Sequence, residues 1–182
     1  MGWELEAVEK PFVEQLVGLG WRYLAGDIDD PSRSGRGNFK QVLQEATLRQ
    51  QLRALNLRDG EPWLDDARIA QALAALTRIA APQLMEANQV ATELLLKGIT
   101  VDGLPDWNGG RGQTIKYIDW ERPERNTYTV VNQYRVDCPP GYDRGKQFIV
   151  PDLVLLVNGI PLAVVECKSP LLPEAMTEAV DQ

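Results

Sequence analysis

The sequence predicts an α/β (α+β) fold: a small, mixed, mostly antiparallel sheet flanked by helices, with a helical insert. Two observations carry this. Between residues 4 and 97, apolar residues recur at spacings of three and four in several runs. Beyond residue 113 the pattern changes to short runs rich in β-branched and aromatic residues, separated by turn residues. A third observation sets the argument. The stretch IVPDLVLLVNGIPLAVVECKSP (149–170) reads as an apolar hairpin that carries Asp152, Glu166 and Lys168 where a core should be greasy.

The chain has 182 residues, room for one domain, with 44% apolar residues and a net charge of -7. That charge argues against a surface built for wholesale phosphate neutralisation. It leaves room for a metal site, whose carboxylates add to the acidity. There is no histidine, which removes Ser-His-Asp and Cys-His catalysis and histidine zinc ligation. Two cysteines, Cys138 and Cys167, are too few for a disulfide scaffold. MGWELEAVEK is acidic and lacks the apolar core of a signal peptide, and no apolar run approaches membrane-spanning length. A cytoplasmic protein with no membrane partner is expected.

Residues 4–19 read as a helix on Leu5, Val8, Phe12, Leu16 and Leu19, stopped by Gly20. Either it kinks at Pro11 or its regular part begins there. Its glutamates read mostly as a solvated face. Residues 25–38 read as an exposed loop with Arg33 and Arg36 at a basic tip. Helices are expected over 39–57, over 65–81 (ended by Pro82) and over 83–97, their Ala-rich faces packing closely.

Residues 98–112 read as a Gly-rich loop. DGLPDWNGGRG lacks both the spacing of an EF-hand and the Lys-Ser/Thr end of a phosphate loop. Strands are expected over 113–121 and 127–137, a loop over 138–146, then the hairpin. Its VLLV and LAVV runs are apolar on both faces, the mark of central, buried strands. A helix is expected to begin over 174–182, and the chain stops inside it, as a fragment of a longer protein would.

Buried carboxylates and a lysine are costly unless compensated, and a divalent cation compensates them. Glu166 and Lys168 are two residues apart, so on a strand they share a face. Asp152 joins them only under a condition. A two-residue Asn158-Gly159 turn pairs Asp152 with Val165 and turns it away from Glu166. An odd-length loop, or a bulge that restores the parity, pairs Asp152 with Glu166. Magnesium favours carboxylate oxygens. Asp152, Glu166 and the Cys167 backbone carbonyl would hold it, while Lys168 would orient or help deprotonate the attacking water and offset charge developing on the phosphate. The Cys167 thiol points to the other face as a buried structural group.

Pro151-Asp152 followed by Glu166-Cys167-Lys168 matches the PD-(D/E)xK nuclease motif. VNGIPLAVVECKSP, with IDWERPERNTYTVVNQY (118–134) and LGW (19–21), resembles the N-terminal nuclease region of the type I restriction enzyme R (restriction) subunit. The resemblance implies a restriction-endonuclease-like core over 113–182, with 39–97 as a helical insert in a single endonuclease domain. With the first helix of residues 4–19, the fold expected is that helix, three mostly antiparallel strands, a second helix and a final strand missing from this chain. It implies Asp152, Glu166 and Lys168 as catalytic residues. Gln182 would open a Gln-x-x-x-Tyr motif on the following helix. Glu9 or Glu14 would match an acidic residue of the first helix. It implies magnesium as cofactor, double-stranded DNA as substrate, and modification and specificity subunits as partners of the whole enzyme. ATP would serve the motor domains of the full-length chain only. The alternatives are another nuclease of the superfamily (RecB-like or junction-resolving) and a metal-free protein-docking module.

Overall fold

A computed structural model describes residues 5–80, 83–139 and 147–168. The first helical run contains a break at its start. Leu5–Glu9 form a π-helical turn, and the regular helix α1 (Lys10–Gly18) begins with Pro11 in its first turn, where a missing N–H costs nothing. Gly20, at φ 92°, closes it. The Gly20 N–H donates to the Val17 carbonyl at 2.9 Å and the Trp21 N–H to that of Leu16 at 3.0 Å, a Schellman ending. Strand β1 (Arg22–Leu24) follows, which the periodicity did not reveal.

Residues 25–38 correct the reading of an exposed basic loop. Pro31–Ser34 form a 3₁₀ turn, and the Asp30 carboxylate accepts the Ser32 N–H at 3.0 Å. Arg33 is exposed, but Arg36 is buried. Its guanidinium donates to Ser34 Oγ at 2.8 Å, to the Gln41 carbonyl at 2.9 Å and to the Arg135 carbonyl at 2.8 Å.

Helix α2 (Glu45–Leu55) starts six residues later than the expected 39. Backbone groups of 39–44 are committed elsewhere: the Phe39 carbonyl accepts the Asp137 N–H at 3.0 Å, and the Gln44 N–H donates to Gly159 O at 2.9 Å. Val42 O accepts the Tyr134 hydroxyl at 3.0 Å. These tertiary bonds override helix periodicity. A short hairpin, β2 (Leu57–Arg58) and β3 (Glu61–Pro62), turns on Asp59-Gly60, both at positive φ. Helix α3 (Asp66–Thr77) is capped by Asp65, whose side chain accepts the Arg68 N–H at 2.8 Å. It ends at Thr77, before the expected 81. Helix α4 (Leu84–Lys97) ends on Gly98.

Gly98–Gly112 is not all loop. β4 (Ile99–Val101) pairs antiparallel with β5 (Gln113–Ile115), so the strand expected over 113–121 is short. A Cβ on Gly98 would stand 2.1 Å from the Ile115 carbonyl oxygen, so glycine is required there. The run 127–137 splits at Gln133, which takes φ 50°, into β6 (Tyr128–Asn132) and β7 (Val136–Asp137). β7 pairs with β8 (Phe148–Ile149), and the hairpin proper is β9 (Leu153–Val157) with β10 (Ile160–Val165). The helix expected over 174–182 and the residue Gln182 lie outside the described residues, as do 140–146 of the expected loop.

The chain divides into two units, residues 1–46 with 127–182, and residues 47–126. The first holds the sheet β1-β6-β9-β10, in which β1 runs parallel to β6 and the other neighbours are antiparallel. Val130, Leu153 and Cys167 bury one face against Val13 and Leu16 of α1. Val131, Val154, Leu156 and Tyr134 bury the other. β9 is central, as its composition implies. β10 corrects the expectation: it is the edge strand among the described residues, and Leu162, Ala163 and Val164 are exposed.

In the second unit Leu48, Leu52, Ile69, Ala72, Ile115 and Tyr117 are buried. The Tyr117 hydroxyl donates to the Ala72 carbonyl at 2.7 Å. The expected close packing does not extend to α4, which has no buried residue. Asp119 is buried and pairs with Arg122 and Arg125 at 3.2 and 3.3 Å. No helix among the described residues is long and apolar enough to cross a membrane.

Candidate nuclease site

The backbone around Asp152 is fixed by the strand before it. The Asp152 carbonyl accepts the Gln133 N–H at 3.0 Å and the Pro151 carbonyl accepts the Tyr134 N–H at 3.3 Å. The residue just ahead of β9 is thus held against the end of β6.

The hairpin brings Glu166 to it through the second of the two routes left open by the sequence. The turn is the two-residue form: Asn158 at φ 55° and Gly159 at φ 82°, with Val157 paired to Ile160. Unbroken, that register would set Asp152 opposite Val165. The pairing shifts between Pro161 and Ala163, leaving Leu162 as the extra residue of a bulge. Beyond it Val164 pairs with Val154 and Val165 with Leu153, so the next residue, Glu166, falls opposite Asp152 on the same face. The turn itself is buried. Asn158 is fully enclosed, and its side-chain oxygen accepts the Thr127 N–H at 2.8 Å.

Asp152 and Glu166 line one cavity of about 570 Å³ with Lys168, Glu9, Asn132 and Gln133. The Cys167 N–H donates to Asp152 Oδ2 at 2.7 Å, which pins together the residues that flank the open end of the hairpin. The Cys167 side chain points into the α1 core, as expected of a structural thiol. Burial, and then the Asp152 charge beside it, push the Glu166 carboxyl above its ordinary range, with Lys168 pulling the other way.

Of the two first-helix acids, Glu9 enters this cavity and Glu14 does not. Glu9 is buried at the π-turn, while Glu14 is exposed and borders only an adjoining, more apolar cavity of about 540 Å³ that Glu9 and Asn132 also line. Burial is the main cause that raises the Glu9 carboxyl above its ordinary range. A hydrogen bond from Asn132 opposes it and the Asp152 charge adds to it. Sequence reasoning missed Asn132. Its signal was a polar residue directly after the buried Val130-Val131 pair, where the strand leaves the core.

The acids lining the cavity, Glu9, Asp152 and Glu166, are hard oxygen donors, with no imidazole among them. Among the described residues no three Asp, Glu or Cys side chains group closely enough to chelate an ion unaided. A pair of carboxylates suits magnesium, which keeps several of its waters. The mutual repulsion of Asp152 and Glu166 is the charge such an ion would neutralise.

Comparison with known proteins agrees with the resemblance read from the hairpin. A family model described as the type I restriction enzyme R protein N terminus matches residues 4–182. The type I restriction enzyme HindI endonuclease subunit of Haemophilus influenzae is 30% identical over 172 residues, which covers 92% of this chain and 15% of that protein. A Methanocaldococcus jannaschii protein named for the MjaIXP endonuclease subunit of a type I restriction enzyme is 27% identical over 163 residues, 90% of this chain and 15% of that protein. The chain therefore spans about 15% of the length of these relatives. With the match running from residue 4 to residue 182, the chain belongs to the family of type I restriction enzyme R protein N-terminal regions.

Proposed function

We propose that this chain is the nuclease domain of a type I restriction-modification enzyme's R subunit, a magnesium-dependent centre that hydrolyses phosphodiester bonds of double-stranded DNA. The observation that carries the reading is the bulge at Leu162, which sets Glu166 opposite Asp152 in a cavity shared with Lys168. A hairpin with no use for paired acids gains nothing from placing them together.

In this reading Asp152 and Glu166 each offer a carboxylate oxygen, and the Cys167 backbone carbonyl offers a third. Magnesium bound there supplies Lewis-acid activation of the phosphate and of water. Lys168 orients the attacking water and offsets negative charge building on the phosphate. Glu9 presents a third carboxylate across the cavity, where it accepts hydrogen bonds from water. Attack forms one P–O bond as the P–O bond to the leaving sugar oxygen breaks, and a water proton leaves through the cavity. Site recognition and ATP-driven motion belong to the whole complex, with its modification and specificity subunits.

The test is cleavage by the full R subunit assembled with those partners and ATP. Asp152→Ala, Glu166→Ala or Lys168→Ala should abolish cutting while ATP hydrolysis persists. Normal cutting by Asp152→Ala, together with no magnesium effect on the melting of the chain, would instead favour a metal-free docking module.

A further inference from the structure

Asn132 occupies the last position of β6 and joins three elements. Its Nδ2 donates to Glu9 Oε1 at 3.0 Å, on the π-turn ahead of α1. Its Oδ1 accepts the Gly26 N–H at 3.0 Å, from the segment after β1. The two partners use opposite ends of the carboxamide, so its orientation is set: the amide NH₂ faces the acid and the oxygen faces the backbone N–H. The approach is close. A Cβ on Gly26 would stand 2.0 Å from the Asn132 backbone carbonyl oxygen. The next residue, Gln133, holds the Asp152 carbonyl. One dipeptide thus grips both acids from the same strand end.

We infer that Asn132 is a positioning residue of the candidate nuclease centre: its carboxamide fixes the Glu9 carboxylate on the cavity wall that faces Asp152. This rests on the nuclease reading. Asn132 touches no reacting atom and acts through Glu9.

The test is manganese binding to the 182-residue chain by titration calorimetry, with melting followed in parallel. Asn132→Asp keeps the oxygen that accepts from Gly26 and removes the donor to Glu9. It should weaken manganese binding about tenfold, the cost of losing a partner that orients a group around a metal, and lower melting in EDTA because it sets a second carboxylate beside Glu9. In a Glu9→Gln background, Asn132→Asp should weaken binding no further, because the two residues act as one unit. A purely structural Asn132 gives additive effects instead, and that result overturns the inference. Should Asn132→Asp fail to fold, Asn132→Ala carries the same cycle. If Asp152→Ala abolishes binding and Asn132→Asp leaves it unchanged, this inference fails and the nuclease reading stands. If the native chain binds no manganese, both fail.

Discussion

The Cys167 N–H donates to the Asp152 carboxylate at 2.7 Å, across fifteen residues of chain and a turn whose register would part them. The bulge at Leu162 reconciles the two, and it makes a counting prediction. Deleting Leu162 alone removes the extra residue and leaves Glu166 opposite Asp152. Deleting Leu162 and Ala163 together leaves the strand one short and turns Glu166 to the other face. Both residues are exposed on the edge strand, so neither deletion opens the core. Magnesium should raise the melting temperature of the native chain and of the single deletion, and should leave that of the double deletion unchanged. Thermal melts with and without 5–10 mM magnesium, about the range a weakly held Mg²⁺ requires, separate the outcomes.

Glu166 and Glu9 both carry carboxyls raised above the ordinary glutamate value by burial, with Asp152 adding repulsion. A raised acid binds its proton more tightly in the folded chain. Its contribution to stability is present below the unfolded value and is lost as pH rises through the folded one. The metal-free chain should therefore lose stability across that window, and magnesium should restore it by neutralising the pair. Glu166→Gln isolates the effect. In EDTA at pH 7.5 it should melt above the native chain, and it should no longer respond to magnesium. A native chain whose melting does not change with magnesium at pH 7.5 would contradict this.

Asn158 shows how a turn residue can be structural and still decide the site. Its oxygen accepts the Thr127 N–H, its own N–H donates to the Thr127 carbonyl at 2.8 Å, and its φ is 55°. Asn158→Ala leaves a buried donor unmet and strains the backbone. It should cost about 2–3 kcal/mol, or roughly 4–10 °C in melting temperature for a chain of this size. Asn158→Gly relieves the strain alone and should recover only part of the loss. Denaturant melts of the two variants measure each contribution.

The cluster that lines the cavity was legible in the sequence where chemistry contradicted environment. Asp152, Glu166 and Lys168 stood out as charges on apolar strands, and the parity of the hairpin demanded an odd loop or a bulge. Other features left no such mark. β1 is three residues long, too short for a period to register. The segment 39–44 has helical spacing, but its backbone bonds go to β7 and the hairpin. LAVV looked central because its apolar residues occupy both faces, yet an edge strand can carry them too. Asn132 left only a faint mark, a polar residue after an apolar pair, because its role depends on Glu9 and Gly26, both more than a hundred residues away.

Arg36 illustrates the opposite error, a charge in a polar, Gly-rich stretch that is not on the surface. Its guanidinium is enclosed, with three of its N–H groups given to Ser34, Gln41 and Arg135, and its carbon lies 3.6 Å from the centroid of the Tyr134 ring. A planar fork over an aromatic face is a role lysine cannot fill. Arg36→Ala strands two carbonyls and empties the stack. It should cost about 3 kcal/mol, and Arg36→Lys should regain little. Arg33→Ala, at an exposed position, should change stability by less than about 0.5 kcal/mol. DNA binding gives the complementary reading. Were Arg36 bound to a phosphate, removing its side chain would lower the salt dependence of DNA binding by nearly one unit of slope. The buried geometry predicts no such change for Arg36→Ala at temperatures where the variant is folded, so titrations at several salt concentrations distinguish a buried brace from a DNA-binding arginine.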